Sequence, residues 1–181
     1  MPIYFDNAAT SQTPNQVIDV ISNYYKENNS NIHRGLHSLS ADATNKYENS
    51  RTIIKNHFGA AHEHEIIFTS GTTHGINVIS SGLEKFITSK DELIVSEMEH
   101  HSNIVPWQML CKKTGSKLKV IPINDDGTLN IDEYKSLLTP KVKFVFINHV
   151  SNTLGIVNPI KEIIDLAHKN NSKVLVDGAQ G

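Results

Sequence analysis

Phe144-Val145-Phe146-Ile147, then Ile160 to Lys169, then Val174-Leu175-Val176-Asp177-Gly178 is the stretch that decides the fold. Its first and last pieces are short runs of β-branched and aromatic residues, which suit a buried, pleated strand. The middle piece repeats its apolar residues at three- and four-residue spacing. Ile160, Ile163, Ile164 and Ala167 share one face, as in an amphipathic helix. Asn158 is placed to cap that helix and Pro159 to occupy its first turn. Strand, helix and strand in this order form a βαβ unit, with parallel strands and the helix laid on the sheet.

The same alternation runs back towards the N-terminus. Ile66-Ile67-Phe68, Leu93-Ile94-Val95 and Leu118-Lys119-Val120-Ile121 read as further strands. Gly75 to Phe86, Asn103 to Lys113 and Ile131 to Leu138 read as further helices. The expected fold class is α/β, a mostly parallel sheet flanked by helices. Ahead of it lie two more amphipathic helices, one with Val17, Ile18, Ile21, Tyr24 and Tyr25, the other running from near Ser40 to a stop at Gly59. They set residues 1–60 apart as a helical arm, with 61–181 as the α/β domain.

Composition narrows the function classes. A chain of 181 residues with 38% hydrophobic and 20% charged residues has the material for a real core. Net charge is −2, from 17 basic and 19 acidic residues scattered along the chain, so no basic stripe advertises nucleic acid or an anionic membrane. A small-molecule substrate is expected. The single cysteine, Cys111, leaves no internal disulfide, and Met1 to Asp6 has neither the basic head nor the apolar core of a secretory signal. A cytoplasmic protein is expected on those two grounds, with an organelle as the alternative, and no apolar run approaches the ~20 residues that cross a bilayer, so a soluble chain is expected.

Three places carry chemistry. Thr69-Ser70-Gly71-Thr72-Thr73, between a strand and a helix, is an arrangement that binds phosphate: the first N–H groups of a helix lack internal partners, and its dipole favours anions. Thr72 or Thr73 as a plain helix cap is the alternative. Glu97-Met98-Glu99-His100-His101 follows a strand, and its histidines could bind a metal, stack on an aromatic cofactor, or act as acid and base. Neighbours in extended chain face opposite sides, so one of them is expected to enter the site. His33 and His37 have helical spacing, but Gly35 between them argues against a regular helix and so against a zinc grip. Asp177 at a strand end could hold a metal, a ribose or a buried cation such as a protonated ring nitrogen, or could merely cap the turn at Gly178.

Several blocks in order resemble one family, the Suf-type cysteine desulfurases within the class V aminotransferase group. They are Tyr4-Phe5-Asp6-Asn7-Ala8-Ala9-Thr10-Ser11, Ile32-His33-Arg34-Gly35-Leu36-His37, Gly71-Thr72-Thr73-His74-Gly75-Ile76-Asn77, Met98 to Gln108, His149-Val150-Ser151-Asn152-Thr153-Leu154-Gly155 and Val176-Asp177-Gly178-Ala179-Gln180. The resemblance spans essentially the whole chain. It implies the aspartate-aminotransferase-like large domain, cut short, and pyridoxal 5'-phosphate as cofactor. It makes Thr72 and Thr73 the phosphate cradle, His100 the catalytic residue stacked on the cofactor ring, and Asp177 the partner of the ring nitrogen. Gln180 would contact the phenolic oxygen, with Asn152 beside it. Ala8, Ala9, His33 and Arg34 would line the substrate side.

The implied reaction converts L-cysteine to L-alanine and passes the sulfur through an enzyme persulfide to an acceptor protein for iron-sulfur cluster assembly, in a homodimer. Ser70 departs from the arginine usual in the family, and Gly181 from an alanine. The family's Ser-His-Lys segment, whose lysine anchors the cofactor covalently, and its nucleophilic cysteine lie downstream of the Asp-Gly-Ala-Gln strand. The chain reads as truncated before them and is expected to be inactive alone. Alternatives are a selenocysteine lyase acting on L-selenocysteine, another class V lyase or transaminase, a non-catalytic remnant, or a metallohydrolase on His33, His37, His100 and His101. Cys111 falls one turn beyond Trp107 on the buried face of its helix, an unsuitable place for a sulfur-accepting thiol.

Overall fold

The computed structural model describes residues 3–181. Two compact units make up the chain, one ending at Phe68 and one running from Thr69 to Gly181.

The first unit holds two helices, α1 (Asn15–Asn23) and α2 (Ser38–Phe58). α1 continues as a single π-helical turn, Tyr24–Asn28, and the Tyr24 hydroxyl donates to the Ser30 carbonyl beyond it at 2.8 Å. No residue of α1 is buried, so its apolar side, with Val17, Ile18 and Ile21, remains open. α2 ends at Gly59, whose φ of 68° is left-handed and so suits glycine at the stop. It is 21 residues long, yet among the described residues no helix is long and apolar enough to cross a membrane.

One expected strand is not formed. Ile66 to Phe68 is extended chain with no strand partner among the described residues, and the Ile66 carbonyl accepts from the Arg51 guanidinium. That guanidinium also lies 4.9 Å from the centre of the Phe68 ring. A β-rich tripeptide becomes a strand only where a neighbour offers a ladder, and Ile67 is left 73% exposed.

The second unit is a helix-flanked sheet. Its elements are α3 (Thr72–Leu83), β1 (Glu92–Ser96), α4 (Val105–Thr114), β2 (Lys117–Ile121), α5 (Ile131–Leu137), β3 (Val142–Asn148), α6 (Ile160–Lys169) and β4 (Lys173–Asp177). The strands lie in the order β2-β1-β3-β4, and every neighbouring pair is parallel. Side chains alternate across the sheet, which builds two cores. On one side Ile94, Ile121, Val145 and Ile147 pack with Tyr134 of α5 and Ile163 and Ala167 of α6. On the other, Leu93, Val95 and Phe146 pack with Ile76 of α3 and Trp107, Leu110 and Cys111 of α4. The Trp107 ring stacks on Phe146 with centroids 3.6 Å apart.

α6 spans the residues its periodicity predicts, but its start differs. Pro159 is the capping residue, and the Asn158 side chain turns inward, donating to Asn148 at its carbonyl (2.9 Å) and Oδ1 (2.7 Å). These donor bonds hold the Asn158 side chain in the interior, away from the helix start, where a cap would accept from a backbone N–H.

Candidate functional site

The carboxyl ends of parallel strands are where an open α/β sheet gathers a site. β4 ends at Asp177, only 7% exposed. One carboxylate oxygen, Oδ1, accepts from the Ala179 N–H at 3.0 Å, the turn-capping contact expected of a strand-end aspartate. Asp177 is the register partner of Asn148, the last residue of β3. By the alternation of the strands both fall on the side of Phe146 and Leu175, where α3 and α4 pack.

On that side α3 begins. Its capping residue is Gly71, at φ 137°, a conformation that residues with a side chain rarely adopt. No side chain caps the helix, and Thr72 and Thr73 are its first two residues. The plain capping role considered for them is therefore not the one they take. An uncapped N-terminus with two hydroxyls is the cradle an anion fits.

His100 follows β1, in the extended residue before the single turn His101–Asn103, against which α3 packs. The imidazole is exposed, and its Nδ1 accepts from the Ser102 N–H at 3.2 Å, with the Ser102 hydroxyl 2.8 Å away. A backbone N–H can only donate, so in the neutral ring the proton sits on Nε2. Asn152 lies in the exposed turn after β3, and Gln180 in the turn after β4. The structure thus brings Thr72, Thr73, His100, Asn152, Asp177 and Gln180 into one α/β unit, on segments that adjoin helix starts or strand ends.

The remaining candidates belong to the first unit. Ala8 and Ala9 lie in a turn closed by the Ala9 N–H on the Asp6 carbonyl, at 3.2 Å. His33 adopts a left-handed φ of 61° and meets Glu48 at 3.2 Å, while Arg34 is exposed in the same turn. A recess in this unit is lined by Asn29, Ser30, Asn31, Arg34, Gly35 and His37. His37 caps α2, its Nδ1 accepting from the Ser40 N–H at 3.3 Å. Among the described residues, no group of three or more His, Cys, Asp or Glu side chains is placed to hold a metal ion.

One buried group escaped the sequence reading. Glu99 is 7% exposed, and three donors converge on its carboxylate: the Ser96 hydroxyl and the Asn148 N–H (2.9 Å) on Oε1, and Asn103 Nδ2 (2.7 Å) on Oε2. Burial pushes this carboxyl above the usual range, against the pull of its three donors, and the nearby Asp177 carboxylate adds to the rise. Only the fold reveals the partner that reaches it from β3, the Asn148 N–H.

The aminotransferase class-V family matches the chain over residues 3–181. A cysteine desulfurase of Shigella sonnei (strain Ss046) is 47% identical over 178 residues, covering 98% of this chain and 44% of its own length. One of Synechococcus elongatus (strain ATCC 33912 / PCC 7942 / FACHB-805) is 46% identical over 179 residues, covering 98% of this chain and 29% of its own. Among solved structures, the apo cysteine desulfurase from Thermococcus onnurineus NA1 superposes with a TM-score of 0.92 at 38% identity, over 97% of this chain and 44% of that one. The chain thus spans less than half the length of these relatives.

Proposed function

The chain belongs to the aminotransferase class-V family, and from that premise we propose that it is the cofactor-cradling portion of a pyridoxal-phosphate-dependent cysteine desulfurase, converting L-cysteine to L-alanine. The observation that carries the reading is the uncapped start of α3, with Gly71, Thr72 and Thr73, on the side of the sheet that also carries the buried Asp177. A helix start for a phosphate, a carboxylate for a ring nitrogen and an imidazole for a ring face are the donor set that this cofactor needs.

Thr72 and Thr73 hold the phosphate through their hydroxyls and backbone N–H groups. Asp177, whose Oδ1 accepts from the Ala179 N–H, would hold a proton on the pyridine nitrogen with its other carboxylate oxygen. His100 would stack on the ring, with its Nδ1 engaged by the Ser102 N–H and its Nε2 left to carry the proton. Gln180 contacts the phenolic oxygen, and Asn152 stands beside it. Ala8, Ala9, His33 and Arg34 are assigned to the amino-acid substrate by the family resemblance alone. When bound, pyridoxal phosphate supplies an electron-withdrawing ring that stabilises negative charge on the substrate's α-carbon.

Cys111 does not take the sulfur. It is 8% exposed, and burial raises its thiol above the usual value, so it is neither reachable nor readily ionised. The thiol that forms the persulfide, and the lysine that anchors the cofactor, belong to other segments. The working protein is a homodimer of the cytoplasm, with a residue 1–60 arm and a partial large domain over 61–181, and it hands sulfur to an acceptor protein for iron-sulfur cluster assembly. The decisive experiment incubates the natural-length protein with pyridoxal phosphate and L-cysteine and measures alanine. Alanine with stoichiometric sulfide in the presence of a thiol supports the reading; alanine from L-selenocysteine alone, or no product, overturns it.

A further inference from the structure

Glu99 joins its own segment, residues 96–103, to the end of β3. Ser96 ends β1, Asn103 precedes α4 and Asn148 ends β3, and all three donate to its carboxylate. The assembly is buried: Ser96 is 1%, Asn103 0% and Asn148 3% exposed. Its polarity is also fixed. The indole N–H of Trp107, a group that can only donate, meets Asn103 Oδ1 at 2.9 Å. This turns Asn103 Nδ2 towards Glu99 Oε2, which must accept. The Asn148 backbone N–H cannot reverse, so Oε1 must accept too. Two fixed donors on two oxygens demand a carboxyl group with both oxygens accepting.

We propose that Glu99 is a positioning residue, clamping the segment that bears His100 to the end of β3 and so, through the Asn148–Asp177 register pair, setting His100 relative to Asp177. Asn148 is held from the other side as well, its Nδ2 donating to the Met98 carbonyl at 3.0 Å. Residues 98 and 99 thus both grip the end of β3, immediately before His100. The role rests on the cofactor reading above, since it is the ring between His100 and Asp177 that feels their spacing.

Glu99→Gln tests the clamp, because glutamine keeps the shape but sets an –NH2 against one of the two fixed donors. In the natural-length protein, Glu99→Gln should keep its far-UV circular dichroism, bind pyridoxal phosphate roughly tenfold more weakly, the scale of one lost hydrogen bond to a charged group, and change the visible circular dichroism of the bound ring. Glu97→Gln, at an exposed neighbour, should change neither. Should Glu99→Gln not fold, Trp107→Phe decides: it retains an aromatic ring on Phe146 but frees the Asn103 amide to turn, and should alter the same visible signal. A folded Glu99→Gln or Trp107→Phe protein with wild-type affinity and an unaltered cofactor signal overturns the proposal and leaves the cofactor reading standing. If the wild type itself binds no pyridoxal phosphate, the cofactor reading fails, and the His100 imidazole resonances decide the clamp. A shift in Glu99→Gln supports it, and identical resonances overturn it.

Discussion

Asn148 and Asp177 are register partners at the carboxyl ends of β3 and β4, and the ladder runs one step further, with the His149 N–H donating to the Asp177 carbonyl at 2.8 Å. Main-chain bonds therefore hold Asp177 in place whatever its side chain carries. Asp177→Asn should fold normally, since an amide oxygen can still accept from the Ala179 N–H. In the natural-length enzyme it should retain cofactor yet turn over roughly 100-fold more slowly or worse, because an amide cannot hold a proton on the ring nitrogen. Steady-state alanine production beside cofactor absorbance checks this, and near-normal turnover refutes the role.

Cys111→Ala should leave alanine production from cysteine largely intact. The thiol is enclosed with Trp107 and Leu110 between α4 and the sheet, so its loss should cost about 1 kcal/mol of stability, near the middle of the usual range for point changes. Denaturant midpoints and the desulfurase assay together decide; a folded, cofactor-bound variant that makes no alanine would falsify the assignment.

Tyr134 is fully buried, and its hydroxyl donates to the Ile163 carbonyl at 3.0 Å, tying α5 to α6. Burial drives its ionisation well above the ordinary tyrosine range, so it stays neutral throughout the working range. Tyr134→Phe deletes that one bond and keeps the ring packing. A loss of about 1 kcal/mol is expected in urea unfolding, and no loss at all would show that the bond contributes nothing net.

Glu92, at the start of β1, sits 2.7 Å from Lys119 Nζ of β2 and accepts from the Thr139 hydroxyl at 2.6 Å. Its hydrogen bond from Lys119, then that from Thr139, hold its carboxyl below the ordinary glutamate value of 4.5. A depressed pKa means that the stabilisation is fully present above that ordinary value and disappears as pH falls through the folded-state value. Wild type should therefore exceed Glu92→Gln by about 1 kcal/mol near neutral pH. The gap should close as pH falls from the ordinary glutamate value through the lowered folded-state one. Unfolding curves for the pair across that range check it, and a constant gap would show that the charge is not its source.

Much of this protein is readable locally. The periodicity of Ile160, Ile163, Ile164 and Ala167 predicts α6 to the residue, and Gly59 and Gly115 both stop helices at left-handed φ values. A repeating apolar pattern is a local record of which side is buried, so helices, strands and the α/β class follow from it, and ordered blocks such as Met98 to Gln108 carry the family. Ile66 to Phe68 shows the limit, since β-rich residues specify a strand only where another segment supplies the ladder.

The polar interior was decided elsewhere. Asn158 reads as a helix cap but spends its amide on Asn148, ten residues away, and Glu99, to which the sequence assigns no role, collects donors from Ser96, Asn103 and Asn148. The sequence by itself determined the elements, the faces they bury and the chemical groups near Thr72, His100 and Asp177. Tertiary structure alone decided which buried donor meets which acceptor. Apolar burial is non-directional and can be satisfied by any matching face, whereas a hydrogen bond needs a particular atom at about 3 Å, and the Asn148 N–H reaches Glu99 from 49 residues away only once β3 lies beside β1.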